Sequence, residues 1–227
     1  MPTAGRVPNS VSVNVRGERL ALLPQRAAWW PARETLVVAD IHLGKSETYR
    51  ALGVPIPAGI GEEALARLVA VCEACAARRL VILGDLVHSA AGLTPAVRAA
   101  MTAARSRLPK DVLLVRGNHD AAIDRLPVEW NLTVVGEPHR DGSLAFLHHP
   151  AGVRDHYALA GHLHPTYTIA SAHDVLRLPC FHFGPRIGVL PAFSAFTRGV
   201  PMTLEPGDSV LVIAEGEVVP VTPEPAP

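Results

Sequence analysis

The chain is punctuated by short apolar runs that stop abruptly at polar residues. Thr35 to Ala39, Leu80 to Leu83, Asp111 to Val115, Leu144 to Leu147 and Tyr157 to Ala160 have the length and side-chain type of buried strands. Ahead of them, residues 11 to 24 alternate apolar and polar and read as a strand pair turning at Arg16-Gly-Glu-Arg19. Leu43 to Pro57, rich in Gly and Pro, reads as a loop at the rim of a site. Leu65, Leu68, Val69, Cys72 and Cys75 or Ala76 then recur at helical spacing, with Glu62 and Glu63 in the first turn and Arg78 and Arg79 in the last, as the helix dipole favours. That helix returns the chain to the run before Asp85, which makes a βαβ unit. A second helix is predicted from about Thr94 to Arg107, with Thr94 as its cap and Pro95 at its first position. Beyond Asn131 the pattern changes. Short β-like runs at Leu132 to Val135, Leu144 to Leu147, Val175 to Leu178, Ile187 to Leu190 and Ser209 to Ile213 predict a second, more antiparallel sheet packed face to face on the first, with helices outside. Residues 1–221 are read as one domain, and the proline-rich Thr222 to Pro227 as a disordered tail.

The polar residues that end these runs are Asp40-Ile41-His42, Gly84-Asp85, Gly117-Asn118-His119-Asp120, His148-His149-Pro150 and Gly161-His162-Leu163-His164. Ligands of open α/β sheets bind outside the carboxyl ends of the strands, so residues placed just after several strands share one crevice. Carboxylate, imidazole and amide oxygen donors suit borderline-hard divalent cations, and a donor set of this size fits two of them. Asp85 is the expected bridge between the pair, because the preceding glycine offers no side chain to obstruct it. Adjacent side chains of an extended segment face opposite ways, so His148 and His149 compete for one ligand position.

With these motifs present and in order, the chain resembles the calcineurin-like metallophosphoesterase superfamily, whose pattern is D-x-H, GD, GNH[DE], H and GHxH. Ala39-Asp-Ile-His-Leu-Gly-Lys45, Val115-Arg-Gly-Asn-His-Asp120, Leu159-Ala-Gly-His-Leu-His-Pro165, Leu178-Pro-Cys-Phe181 and Leu190-Pro-Ala-Phe193 are similar to one branch, the bacterial ligase-associated DNA damage response endonucleases. The resemblance implies an α/β fold of two packed mixed β-sheets flanked by helices in four layers. It implies one ion held by Asp40, His42, Asp85 and His164 and a second held by Asp85, Asn118, His148 and His162. His119 then donates a hydrogen bond or proton to the leaving oxygen. The implied activity is that of a binuclear phosphodiesterase, a DNA endonuclease for single-stranded or looped DNA in repair. The resemblance further implies attack on phosphorus by a metal-activated hydroxide, manganese as the expected ion with iron or zinc as alternatives, and a functional association with a DNA ligase and a helicase. Protein phosphatases of the superfamily carry GDxxDRG, where this chain has His88 in Gly84-Asp-Leu-Val-His-Ser89, so that role is not expected. What orients His119 is thereby left open, with Asp120 a candidate by adjacency. His88, Lys45, Arg116 and His149 are further candidates for lining the cleft. His139, His156, His173 and His182 read as structural or exposed.

Formal net charge is +0, which excludes attraction to nucleic acid by overall charge and leaves only a local patch. Lys45, Arg50, Arg116 and Arg154 lie close to the motifs and would suit a phosphodiester. Three cysteines cannot build a disulfide framework, and Cys72, Cys75 and Cys180 read as core residues. The amino terminus has no signal-peptide pattern and no run reaches the length of a membrane span, so a cytoplasmic protein with no membrane partner is expected. Two alternatives accompany the DNA reading: a small-molecule phosphodiesterase or phosphomonoesterase on the same metal centre, and a metal-free binding module, which a full ligand set makes the weaker of the two.

Overall fold

The computed structural model describes residues 9–121, 126–170 and 174–221. A first sheet is laid down in chain order by β1 (Val11–Val15), β2 (Glu18–Leu23), β3 (Ala27–Trp30), β4 (Thr35–Val38), β5 (Arg79–Leu83), β6 (Asp111–Val115) and β7 (Thr133–Val135). Neighbours are antiparallel from β1 to β4 and parallel from β4 to β7. The change of direction follows from the connections. Tight turns link β1 to β4, whereas α1 (Lys45–Ala51) and α2 (Ile60–Ala74) separate β4 from β5 and α3 (Pro95–Arg105) separates β5 from β6, giving the chain the length it needs to return to the same edge. Thr94 caps α3 as expected, its hydroxyl accepting from the Val97 amide at 3.3 Å.

A second sheet holds β8 (His139–Asp141), β9 (Leu144–Phe146), β10 (Tyr157–Ala160), β11 (Pro165–Ala170), β12 (Val175–Phe183), β13 (Ile187–Val189), β14 (Val200–Pro201), β15 (Ser209–Ala214) and β16 (Glu217–Val221). It is mixed: β9, β10 and β13 run parallel, while β12 pairs antiparallel with β11, β13 and β15. The two sheets meet over one apolar layer to which the first contributes Leu20, Leu22, Ala28, Trp30, Val37, Val81 and Val115 and the second Leu144, Phe146, Leu159, Phe181, Phe183 and Leu211. Strand alternation sorts the rest. Leu36, Val38, Leu80, Ile82 and Leu114 face the other way, onto α2 and α3. In the second sheet Ala145, Leu147, Ala158 and Ala160 face away from the first and are covered by Val153 of a loop. Helices of the described residues contribute to the first sheet's outer face, and none to the clusters on the second sheet's outer face.

Several expectations change. Lys45–Ala51 is helical where a loop was expected; its seven residues bury only Ser46, so it has no apolar periodicity to read. Arg78 and Arg79 do not close α2, which ends at Ala74 with Cys75 as its cap. Arg79 instead opens β5 and pairs with Asp111 at 3.3 Å and with Asp141, while Arg78 pairs with Glu34 at 3.3 Å. The run Leu132 to Val135 belongs to the first sheet through β6 and β7, since a three-residue strand does not reveal its partner. Ala27–Trp30 was not foreseen, being too short for a period. Cys72 and Cys75 are buried and their thiols are pushed up, to about 12 and about 11, by burial above all; with Cys180 they are packing residues. No helix of the described residues is long and apolar enough to cross a membrane. His173 and the tail 222–227 lie outside the described residues.

Phe181 is fully buried between the sheets. Phe181→Ala should therefore lower unfolding free energy by roughly 3–5 kcal/mol, read as a shifted midpoint in denaturant titration; a midpoint equal to the parent's would refute the two-sheet core.

Candidate metal centre

Parallel pairing brings the carboxyl ends of β4, β5 and β6 level, with Val38 opposite Ile82 and Leu83 opposite Val115. Parallel β9 and β10 end at a common edge of the second sheet. Each motif begins within three residues of one of these ends, and backbone bonds tie the emerging segments together: Asp40 N to Gly84 O at 3.2 Å, His42 N to Asp85 O at 2.8 Å, and Gly161 N to His148 O at 3.1 Å. Two further bonds cross between sheets. The His162 amide donates to Asp40 Oδ2 at 2.9 Å, and His148 Nδ1 lies 3.1 Å from the carbonyl of Leu83. A carbonyl only accepts, so His148 Nδ1 carries the hydrogen and Nε2 is left as a donor of electrons.

The backbone is forced where it delivers these side chains. Asp40, His42, Asp85, His162 and His164 have φ of 55°, 53°, 51°, 69° and 49°, the left-handed region that costs an L residue on the order of 1 kcal/mol or more and that Asp, Asn and His tolerate best. The motif glycines serve close approach. A Cβ on Gly84 would strike the imidazole of His148, one on Gly117 would strike the Asp85 carboxylate, and one on Gly161 would come within 2.7 Å of Asp40 Oδ2 and 2.9 Å of Ala39 Cβ and Leu83 O.

The ligand-type atoms fall into groups around two shared carboxylates. In the first, His42 Nε2 and His164 Nε2 are 3.3 Å apart, His164 Nε2 is 3.5 Å from Asp40 Oδ1, and His42 Nε2 is 3.8 Å from Asp85 Oδ2. In the second, His148 Nε2 is 2.8 Å from Asn118 Oδ1, 3.1 Å from His162 Nδ1 and 3.6 Å from Asp85 Oδ1. Asp85 thus presents one oxygen to each group. Asp40 and His148 are wholly buried and Asp85 and His42 nearly so. Asp40 Oδ1 and His42 Nδ1 are buried without a hydrogen-bond partner among the described residues. Burial, reinforced by Lys45, His164, His119 and His88, pushes the His42 imidazole down to about 2, and burial with His148 and His149 also lowers His162 against the pull of Asp40 and Asp85. Imidazole nitrogens facing an orphaned carboxylate oxygen are what a divalent cation requires, and Asp40–His42–His164, Asp40–Asp85–His148 and His148–His149–His162 each converge closely enough to hold one.

The flanking residues separate into distinct roles. His119 stacks on His88 with ring centres 4.7 Å apart, and its Nδ1 lies 2.9 Å from the His88 carbonyl. The backbone of His88, not Asp120, therefore holds the ring, a contact that residue type could not signal. Asp120 is buried and turned to the chain, accepting from the amides of Val87 at 3.1 Å and Gly117 at 3.0 Å; burial raises its pKa against those bonds. His149 is half exposed and pairs with Glu137 at 2.7 Å. Glu137, which the sequence reading missed, also accepts from the His148 and His149 amides at 2.6 and 2.9 Å and so fixes that turn. Lys45 sits 5.8 Å above the ring of Phe196, whose ring meets that of Tyr49 edge-on at 5.9 Å, and Tyr49 stacks toward His88 at 6.1 Å. Tyr49 and Phe196 were not singled out in the sequence, where a lone aromatic has no distinguishing neighbour. Arg116 is exposed at the end of β6, its amide bonded to Val135 O at 2.9 Å.

Gly161→Ala should displace Asp40 while leaving the strands paired. Metal affinity is expected to fall by about tenfold to a hundredfold with the circular dichroism spectrum retained; unchanged affinity in a metal titration would contradict the steric argument.

A family model described as calcineurin-like phosphoesterase matches residues 34–199. No curated protein matches the sequence. Among solved structures, the crystal structure of the Pseudomonas putida nuclease MPE is similar with a TM-score of 0.82 at 35% identity, over 94% of this chain and 100% of that one. The chain belongs to the calcineurin-like phosphoesterase family, and it is a metal-dependent phosphoester hydrolase.

Proposed function

We propose that this chain is a two-metal phosphodiesterase of DNA, an endonuclease acting on single-stranded or looped DNA in repair. The observation that carries the two-metal reading is the Asp85 carboxylate, with Oδ2 toward His42 and Oδ1 toward His148, beside a buried Asp40 oxygen that has no partner among the described residues. One ion would be held by Asp40, His42, Asp85 and His164, and the other by Asp85, Asn118, His148 and His162. Such a pair, when bound, polarises a phosphoryl oxygen and makes water nucleophilic at neutral pH.

The chain's own residues supply orientation and the proton. His119 must carry its Nδ1 hydrogen toward the His88 carbonyl, which leaves Nε2 as the atom that holds or releases a proton to the departing oxygen. The cation of Lys45 and the aromatic rings of Tyr49 and Phe196 beside His88 suit a strand with phosphates and bases, since stacking on aromatic side chains accepts any base. The similarity to a solved nuclease supports a polynucleotide over a small ester. Manganese as the activating ion and a place beside a ligase and a helicase follow from the branch resemblance.

The test is a substrate panel of single-stranded DNA, cyclic nucleotides and phosphomonoesters assayed with manganese. Cleavage of DNA is expected, and cleavage of the monoesters alone would refute the endonuclease reading in favour of a small-molecule phosphoesterase. His119→Ala should keep its metal content while hydrolysis falls by about 10²- to 10⁴-fold, most for poor leaving groups; equal turnover would remove His119 from the reaction. Asp85→Ala should lose occupancy at both positions, measured by metal analysis of the purified protein, and full retention would remove the bridge.

A further inference from the structure

Behind His164 lies a hollow of about 280 Å³ lined by Arg26, His164, Thr166, Arg177, Thr197 and Arg198, together with small and proline residues. Among the described residues no carboxylate lines it, although the chain as a whole has a net charge of +0. Arg177 and Arg198 are exposed and, among the described residues, have no ion-pair partner. Arg26 is anchored from beneath, donating to Ser194 O at 2.8 Å. The Thr166 hydroxyl is buried with no hydrogen-bond partner among the described residues. Three guanidinium groups, two threonine hydroxyls and an imidazole edge give the concavity a cationic, donor-rich lining, which suits an anion.

Position decides which anion. His164 belongs to both places: Nε2 faces His42 and Asp40 in the candidate metal centre, and Nδ1 lies 3.4 Å from the carbonyl of Arg198 on the wall of the hollow. The hollow therefore begins where the metal centre ends. The loop that carries Thr197 and Arg198 also carries Phe196, so one short segment offers a ring on the metal-centre rim and a cation behind it. Gly199 keeps that loop close, because a Cβ there would strike the His164 carbonyl and the Thr166 side chain.

We propose that this hollow is a subsite for a backbone phosphate next to the scissile one, which makes a polynucleotide strand, as opposed to an isolated phosphoester, the substrate that the site engages in full. The inference rests on the DNA phosphodiesterase reading and adds to it a specificity site. Arg177 and Arg198 provide planar, permanently charged donors that match a phosphate.

The experiment compares a single-stranded oligonucleotide with bis(p-nitrophenyl) phosphate, a diester that has no neighbouring phosphate, using the manganese-loaded protein and its Arg177→Gln and Arg198→Gln variants. Each variant should lower the ratio of oligonucleotide to small-diester kcat/KM by about tenfold or more. Each should also flatten the dependence of oligonucleotide KM on salt, by about 0.7 in the logarithmic slope per arginine. Arg198→Lys, which keeps the charge, should retain that slope. If the parent cuts both substrates and the variants match it in ratio and slope, the subsite is overturned and the DNA reading stands. A fall in ratio with an unchanged salt slope also overturns it, because a loop that merely shapes His164 would not alter the count of phosphate contacts. A parent that hydrolyses the small diester and leaves the oligonucleotide intact overturns the DNA reading, and the subsite with it.

Discussion

Asp40 is the residue around which this molecule is arranged. Its carboxylate is wholly excluded from water, one oxygen satisfied by the His162 amide and the other by nothing among the described residues. An uncompensated charge in that position costs several kcal/mol, a penalty that a bound divalent cation would remove. Lys45 feels the attraction of Asp40 and Asp85, while burial lowers its pKa. The same carboxylate also fastens the two sheets together, because His162 is delivered by the second sheet and Asp40 by the first.

That constraint explains why the local chain geometry is so costly. Five ligand-type residues in left-handed backbone would be expected to relax if each loop were independent. They persist because the loops interlock: Asp40 binds the Gly84 carbonyl, His42 that of Asp85, His119 N the Asp85 carboxylate at 2.9 Å, and Asp120 both Val87 and Gly117. Each bond is modest, but a set of mutually dependent bonds holds strain that no single one could. The glycines of Gly84-Asp85, Gly117-Asn118 and Gly161-His162 belong to this scheme through space as much as through flexibility, since each stands where another loop's side chain or backbone passes within contact.

Around this rigid centre the surroundings are graded from structural to solvent-facing. Glu137 and Asp120 hold turns from below and never need to meet a substrate. His88 works through its carbonyl on His119 and through its ring on Tyr49, which carries the order of the centre outward to an aromatic edge. On the other side of the loop at Phe196, Arg26, Arg177 and Arg198 gather with no carboxylate among the described residues that line the hollow. A neutral chain can in this way present a strongly cationic wall at one place, because short-range charge arrangement, and not the total, sets the field felt by a ligand at a few ångströms.

Much of this was legible in the amino-acid order. Strands β4, β5, β6, β9 and β10 announce themselves as apolar runs, α3 by its cap and proline, and the ligand-type residues by standing at the ends of those runs. These features are local, and local patterning fixes element type and the position of a residue relative to its strand. What the order left open were matters of partnership. A three-residue run such as Thr133–Val135 could join either sheet, His148 and His149 were chemically alike, and the ring of His119 could be held by any acceptor. Pairing of β7 with β6, the burial of His148 with the exposure of His149, and the reach of the His88 carbonyl to His119 each depend on residues distant in the chain. The sequence by itself determined which side chains would end the strands and what chemistry they could perform. Only the tertiary structure decided which of them face one another, because close packing and the exclusion of water select among contacts that one-dimensional spacing leaves equal.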